Sequence, residues 1–203
     1  FWISFFTVGR ILFFLYLYPQ TAQLSLREIL LPLFLGLRMD AAMAGYWLLI
    51  PGLLFIASAF LSNLIIYRLQ GLFTTLLLLV SGLLIITDLE LYKQWGFRIN
   101  TTPLMYIESE AISSVNPIIF VVLLLILLVL MVVFLYLYWK KLAPSLLLLP
   151  TLSKKWAPVW LIITGLLIIP IRSSFSVAPL NTGVVYFHKS KAFPNHAGIN
   201  PVW

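Results

Sequence analysis

Residues 117–138 read PIIFVVLLLILLVLMVVFLYLY, 22 residues without a charge. A hydrocarbon core about 30 Å thick is crossed by roughly 20 apolar helical residues, so this stretch is a transmembrane helix. Pro117 stands at its start, where the missing N–H costs nothing. Tyr136, Tyr138 and Trp139, followed by Lys140 and Lys141, give it an aromatic and basic interfacial anchor at the other end.

The same reading, carried outward, predicts further spans at about 1–18, 41–61, 72–87 and 156–171. Pro19 ends the first and Pro51 lies inside the second. Two apolar stretches are too short to cross, 29–37 and 142–152. The first lies in the interface or opens a long second helix; the second, with Pro144 and Pro150, is an interfacial segment. After Arg172 the composition turns polar, with prolines and asparagines and no further span. The expected fold is an all-α membrane protein: five transmembrane helices with interfacial segments, then a C-terminal extracytoplasmic linker over 173–203. The apolar start at Phe1 and the mid-sequence character of Asn200-Pro201-Val202-Trp203 mark the chain as an expected fragment.

Composition narrows the class. Hydrophobic residues make up 62% and charged residues 9% of 203 positions, too little charge for a soluble surface of this size. The net charge of +7 does not indicate nucleic acid, because the cations are scattered between apolar runs and form no basic stripe. Without cysteine there is no disulfide, thiol nucleophile or thiolate metal site.

Charge then orders the spans. Glu28, Asp40, Asp88, Glu90, Glu108 and Glu110 all fall in or beside one set of loops. The lysine pairs 140–141 and 154–155 fall in a loop on the opposite side. Lysine-rich loops stay cytoplasmic, which predicts the N-terminus inside and the C-terminus outside.

Two clusters carry candidate chemistry. The first is Gly36-Leu37-Arg38-Met39-Asp40. Charges so near a span need partners or water, and residues two apart on a helix do not face each other, so Arg38 and Asp40 seek different partners. The alternative is that both mark the helix end in the headgroup layer. Ala41, Ala42, Ala44 and Gly45 follow and permit close helix packing. The second cluster is Asp88, Glu90, Tyr92, Lys93, Trp95 and Arg98. If the third helix continues, Asp88, Tyr92 and Trp95 share a face, and Glu90 can pair with Lys93. A headgroup-orienting pocket competes here with a solvated loop and aromatic belt.

The remaining motifs are weaker. Glu108 and Glu110 read as a solvated pair. His188 and His196 lack metal-ligand spacing, and Asn100-Thr101-Thr102 is a short glycosylation pattern. Neither a phosphate-binding glycine loop nor a GxSxG elbow occurs, so no catalytic or metal residue is assigned.

The order of features resembles the membrane part of the lipoteichoic acid synthase family. The resemblance is carried by Phe34-Leu35-Gly36-Leu37-Arg38-Met39-Asp40 with Tyr46 and Pro51, and by Asp88-Leu89-Glu90-Leu91-Tyr92. It continues in Gly96-Phe97-Arg98-Ile99-Asn100 with Tyr106. The last pieces are Arg172, Pro179-Leu180-Asn181, Tyr186-Phe187 and Phe193–Trp203.

Members are extracytoplasmic phosphoglycerol transferases with a sulfatase-like domain of the alkaline phosphatase superfamily. The resemblance implies a bacterial cytoplasmic membrane and a catalytic domain beyond this chain. That domain would hold a threonine nucleophile and a divalent metal, manganese in such proteins. The resemblance leaves the substrate open, since members transfer phosphoglycerol, act on other phospholipid headgroups or have unassigned specificity, and the expected partners are membrane lipids, anionic phospholipid first. On that reading Arg38, Arg98 and Arg172 hold a lipid phosphate, since arginine grips phosphate bidentately. Asp40, Asp88 and Glu90 orient the arginines or bind headgroup hydroxyls, and Tyr92 with Trp95 lines the acyl–headgroup boundary. The rivals are a passive anchor and, third, a small transporter component.

Overall fold

The computed structural model describes residues 1–100, 116–148, 152–173 and 180–203. Glu108, Glu110, Tyr106 and Pro179 lie outside these residues. The described chain is helical throughout, with four helices long and apolar enough to cross a membrane: Leu26–Ala57, Asn63–Trp95, Pro117–Leu148 and Lys154–Arg172. The chain is therefore compatible with a multi-pass membrane protein. A fifth apolar helix, α1 (Trp2–Tyr16), has 15 residues.

A one-turn helix, α2 (Tyr18–Thr21), follows α1. Helix α3 (Leu26–Leu35) starts at a capping box: Ser25 Oγ accepts from the Glu28 N–H, and the Ser25 N–H donates to Glu28 Oε2 at 2.7 Å. It runs through Gly36 into α4 (Leu37–Ala57), because the Gly36 N–H still donates to the Pro32 carbonyl and the Asp40 N–H to the Gly36 carbonyl. Residues 29–37 thus open a long second helix.

Helix α5 (Asn63–Trp95) has 33 residues, about 50 Å at 1.5 Å per residue. It outruns both the bilayer core and the expected span of 72–87. The polar stretch from Asp88 to Trp95 stays helical because Asp88, Leu89 and Tyr92 turn inward to buried positions. Gly96 ends it with φ of +75°, the left-handed conformation that favours glycine.

Helix α6 (Pro117–Leu137) is capped by Asn116, whose Oδ1 accepts from the Ile118 N–H at 2.9 Å. A π turn at Tyr138–Leu142 passes into α7 (Ala143–Leu148). After a 3-10 turn at Lys154–Trp156 come α8 (Ala157–Gly165) and α9 (Ile168–Arg172). A second 3-10 turn, Thr182–Val185, and α10 (Ala192–Ala197) complete the described residues.

Helix α4 touches the most neighbours, among them α1, α3, α5, α8 and α9, and α1 lies in the core against it. Phe5, Phe6 and Phe13 of α1 are buried, and α1 packs against α4, α5 and α10. Helix α6 covers α5, while α8 and α9 cover α4. Ala42 and Ala44 are buried, and at Gly45 any side chain would run into Ile171 of α9, so the small residues do admit a neighbour. The outward faces of α6 and α8 are apolar and exposed, as at Phe120, Leu125, Leu128, Leu161 and Ile162. Such a surface is stable against lipid, not water.

Candidate functional site: a buried charge network under the C-terminal segment

One end of the bundle, here the acidic end, buries two arginines and two aspartates. Arg10 of α1 meets Asp40 of α4 as a two-pronged pair, with both nitrogen–oxygen distances 2.8 Å. Asp40 is fully buried and Arg10 is 3% exposed. Gly36 makes the approach possible, because a Cβ there would collide with the Arg10 guanidinium. The second pair joins Asp88 of α5 to Arg98 just past its end, at 2.8 Å. The Ile99 N–H also donates to Asp88 Oδ1 at 2.7 Å, fixing the turn after Gly96. Arg98 lies over the Phe13 ring, 4.3 Å from its centroid.

The C-terminal segment sits on these pairs. Arg10 donates to the carbonyls of Ala197 and Gly198 at 3.1 and 3.4 Å. Arg98 donates to the next carbonyl, Ile199, at 2.6 Å. Asn200 donates its amide to Asp40 Oδ1 at 2.9 Å. Tyr92 shares a hydrogen bond of 3.0 Å with Nδ1 of His196. Phe193 stacks on Phe13 with centroids 5.5 Å apart.

Asn195 holds the segment's own shape. Its Oδ1 accepts from the N–H groups of Phe187 and His188, and its amide donates to the His188 carbonyl. Farther out, Glu28 binds Lys191 at 2.7 Å and faces His188 at 3.2 Å.

Burial dominates the electrostatics. Two guanidinium groups facing two carboxylates leave the cluster formally neutral, the condition under which buried ions are tolerated. Burial pushes the Arg98 pKa down from its usual value, and the Asp88 carboxylate opposes that by stabilising the cation. His196 is also held below the ordinary imidazole value, first by burial and then by the Arg98 charge. Nε of Arg98 is buried without a hydrogen-bond partner.

The expected site residues divide. Asp40, Asp88, Tyr92 and Arg98 come together beneath one segment. Arg38 is exposed and donates instead to Ser173, to Oγ at 3.2 Å and to the carbonyl at 3.1 Å. It thereby ties α4 to the end of α9, beside Arg172. Arg38 and Asp40 do take different partners. Glu90 accepts from the Tyr16 hydroxyl and from Gln94, while Lys93 lies over the Tyr16 ring rather than on Glu90. Trp95 is exposed, off the buried face of Asp88 and Tyr92.

Arg10, Asn195, His196 and Asn200 were not among the expected site residues. Arg10 carried a readable signal, since an arginine within an apolar helix demands an internal partner. Among the described residues no group of three His, Asp or Glu side chains is placed to hold a metal ion. Comparison with family models, curated proteins and solved structures finds no match to this chain.

Proposed function

We propose that this chain is the membrane domain of a lipoteichoic acid synthase-like protein. It spans a bacterial cytoplasmic membrane five times, α1 included, with its N-terminus inside. It sets an extracytoplasmic phosphoglycerol or phosphoethanolamine transferase or hydrolase domain against the layer of phospholipid headgroups. On this reading residues 173–203 lead to that domain, and its divalent metal, manganese in the family, lies there. The domain presents anionic phospholipid by placement: it fixes the height and direction at which the chain leaves the membrane.

One observation carries the reading. Three successive carbonyls, of Ala197, Gly198 and Ile199, are gripped by Arg10 and Arg98 from the bundle. A tether needing only to retain a domain has no use for a buried, charge-assisted clasp on its backbone. The passive-anchor reading has its own support, because both buried aspartates are already satisfied by arginines.

The test compares the full-length protein with a Tyr92→Phe, Asn200→Leu variant in vesicles containing phosphatidylglycerol. Loosening the segment at these two side-chain bonds, with the grip of Arg10 and Arg98 on its carbonyls left in place, should leave insertion intact while headgroup transfer falls by up to about 100-fold, the scale of misplacing a reacting group. Unchanged transfer with a segment newly open to protease supports the passive anchor. Absence of transfer or hydrolysis by the parent protein removes the enzymatic reading.

A further inference from the structure

The opposite end of the bundle holds a feature unconnected with the charge network. A slot of about 310 Å³ lies between α4, the start of α5, α7 and α8. Leu48, Pro51, Gly52 and Phe55 form one wall; Trp160, Ile163, Thr164 and Leu167 form the other. Gln70 and Leu146 close its remaining side. Gly52 keeps the walls near each other, since a Cβ there would meet the Thr164 side chain at 2.7 Å. The slot opens where Leu48 and Ile163 are 42% and 43% exposed. Those residues belong to helices apolar enough to cross a membrane, so the opening faces hydrocarbon.

We propose that this slot holds one acyl chain of an anionic phospholipid from the lysine-bearing face, with Lys154 at its phosphate. Direction and charge carry the proposal. From Leu48 to Phe55 along α4, and from Trp160 along α8 into the turn at Leu167, the walls run about 10 Å in one direction, the orientation of a lipid chain. At the end toward the loops, the Phe55 and Trp160 rings meet with centroids 4.8 Å apart. Farther along that seam, about 9 Å along the chain from Trp160, Lys154 Nζ lies 5.4 Å from the Phe60 ring.

The seam thus passes from an apolar slot, through an aromatic pair, to an exposed cation, the sequence of environments along a phospholipid. Lys155 adjoins it, and no acidic residue lies in 41–87 or 116–172 to compete for that cation. A groove open at this depth to hydrocarbon is filled from the bilayer, and the filler available there is a lipid chain. The inference does not rest on the transferase reading.

Native mass spectrometry of the purified protein, released from detergent in the presence of dioleoyl phosphatidylserine or dioleoyl phosphatidylcholine, tests it. One phosphatidylserine should be retained, about five-fold more than phosphatidylcholine, the scale expected for a lysine beside an anionic headgroup. Leu48→Trp, at an exposed position, should fill the slot and cut retention of both lipids. Lys154→Gln, at a surface position that does not threaten folding, should abolish the preference while leaving phosphatidylcholine retention unchanged. Equal retention of the two lipids by the parent protein overturns the proposal. So does Leu48→Trp leaving retention unchanged, or a dimer that carries no lipid.

Discussion

The two ends of this bundle solve the problem of charge in opposite ways. At the acidic end Arg10, Asp40, Asp88 and Arg98 are buried, matched one to one, and locked under residues 193–200. At the lysine end Lys140, Lys141, Lys154 and Lys155 are exposed, and Lys154 lies over an aromatic ring. Burial makes each charge indispensable to its partner, whereas exposure lets water and headgroups replace any partner. Removing a charge should therefore unfold one end and merely change the surface of the other.

The largest effect is expected at Asp40. Asp40→Ala leaves the Arg10 guanidinium buried without its counter-ion, a loss of about 3–5 kcal/mol. Thermal melting in detergent should fall accordingly, and residues 193–200 should become open to protease. Arg10→Met with Asp40→Leu removes both charges, and most of the stability should return. If the single and double variants melt alike, the acidic end is not held by charge matching.

Arg98→Met comes next. It strands Asp88 and frees the Ile199 carbonyl, but the Ile99 N–H still reaches Asp88. A loss of about 3 kcal/mol is expected, with hydrogen exchange rising first at Ile99 and the 196–200 backbone. A smaller loss follows from Gly36→Ala. The new methyl group would occupy the space of the Arg10 guanidinium, and forcing it aside should cost about 1–3 kcal/mol. Combining Gly36→Ala with Arg10→Met should cost no more than Arg10→Met alone, which a double-mutant cycle would read directly.

The contrast between the ends also marks what the sequence displays. The long apolar helices are legible because hydrocarbon tolerates almost nothing else, and α6 carries no charge at all. The end of α5 is harder. Asp88 is a natural stopping point for a hydropathy reading, yet its carboxylate turns inward to Arg98 and the helix runs on to Trp95. The i, i+4 spacing of Asp88 and Tyr92 was visible, but the arginine that satisfies it comes from beyond the helix. Arg10 was the missed signal, one cation hidden in an apolar run. The backbone contacts of 197–199 have no sequence signature, because any residue carries a carbonyl. Only the asparagines that shape the segment, Asn195 and Asn200, stand out, and polar composition alone reads as a linker.

Acidification should loosen the clasp in a defined direction. Tyr92 bonds His196, Arg98 repels its proton, Asp88 attracts it, and the Tyr186 ring lies 6.1 Å away. Burial first, and then the Arg98 charge, depress its pKa below the usual imidazole value near 6.5. A depressed folded-state pKa gives stability that is complete above the unfolded value. That stability is lost as pH falls through it toward the folded one. Protease cleavage within 188–200 should thus rise as pH drops below about 6.5, and His196→Gln should flatten that rise. A rise of equal size in the variant would show that protonation of His196 is not what loosens the clasp.

Lys154→Gln should do least to stability. The lysine is exposed and lies 5.4 Å from one ring, a contact contributing about 0.5 kcal/mol at such a site. Melting of the protein in a zwitterionic detergent should move by no more than that. The value of so small an effect lies in its ratio to Asp40→Ala, several-fold in free energy for the loss of one formal charge at either end. Should Lys154→Gln melt as low as Asp40→Ala, charge at the lysine end would be structural too, and the division between a locked end and a lipid-facing end would fail. If instead the variant melts normally in detergent but loses its stabilisation by added phosphatidylserine, the lysine's partner is the membrane rather than the protein.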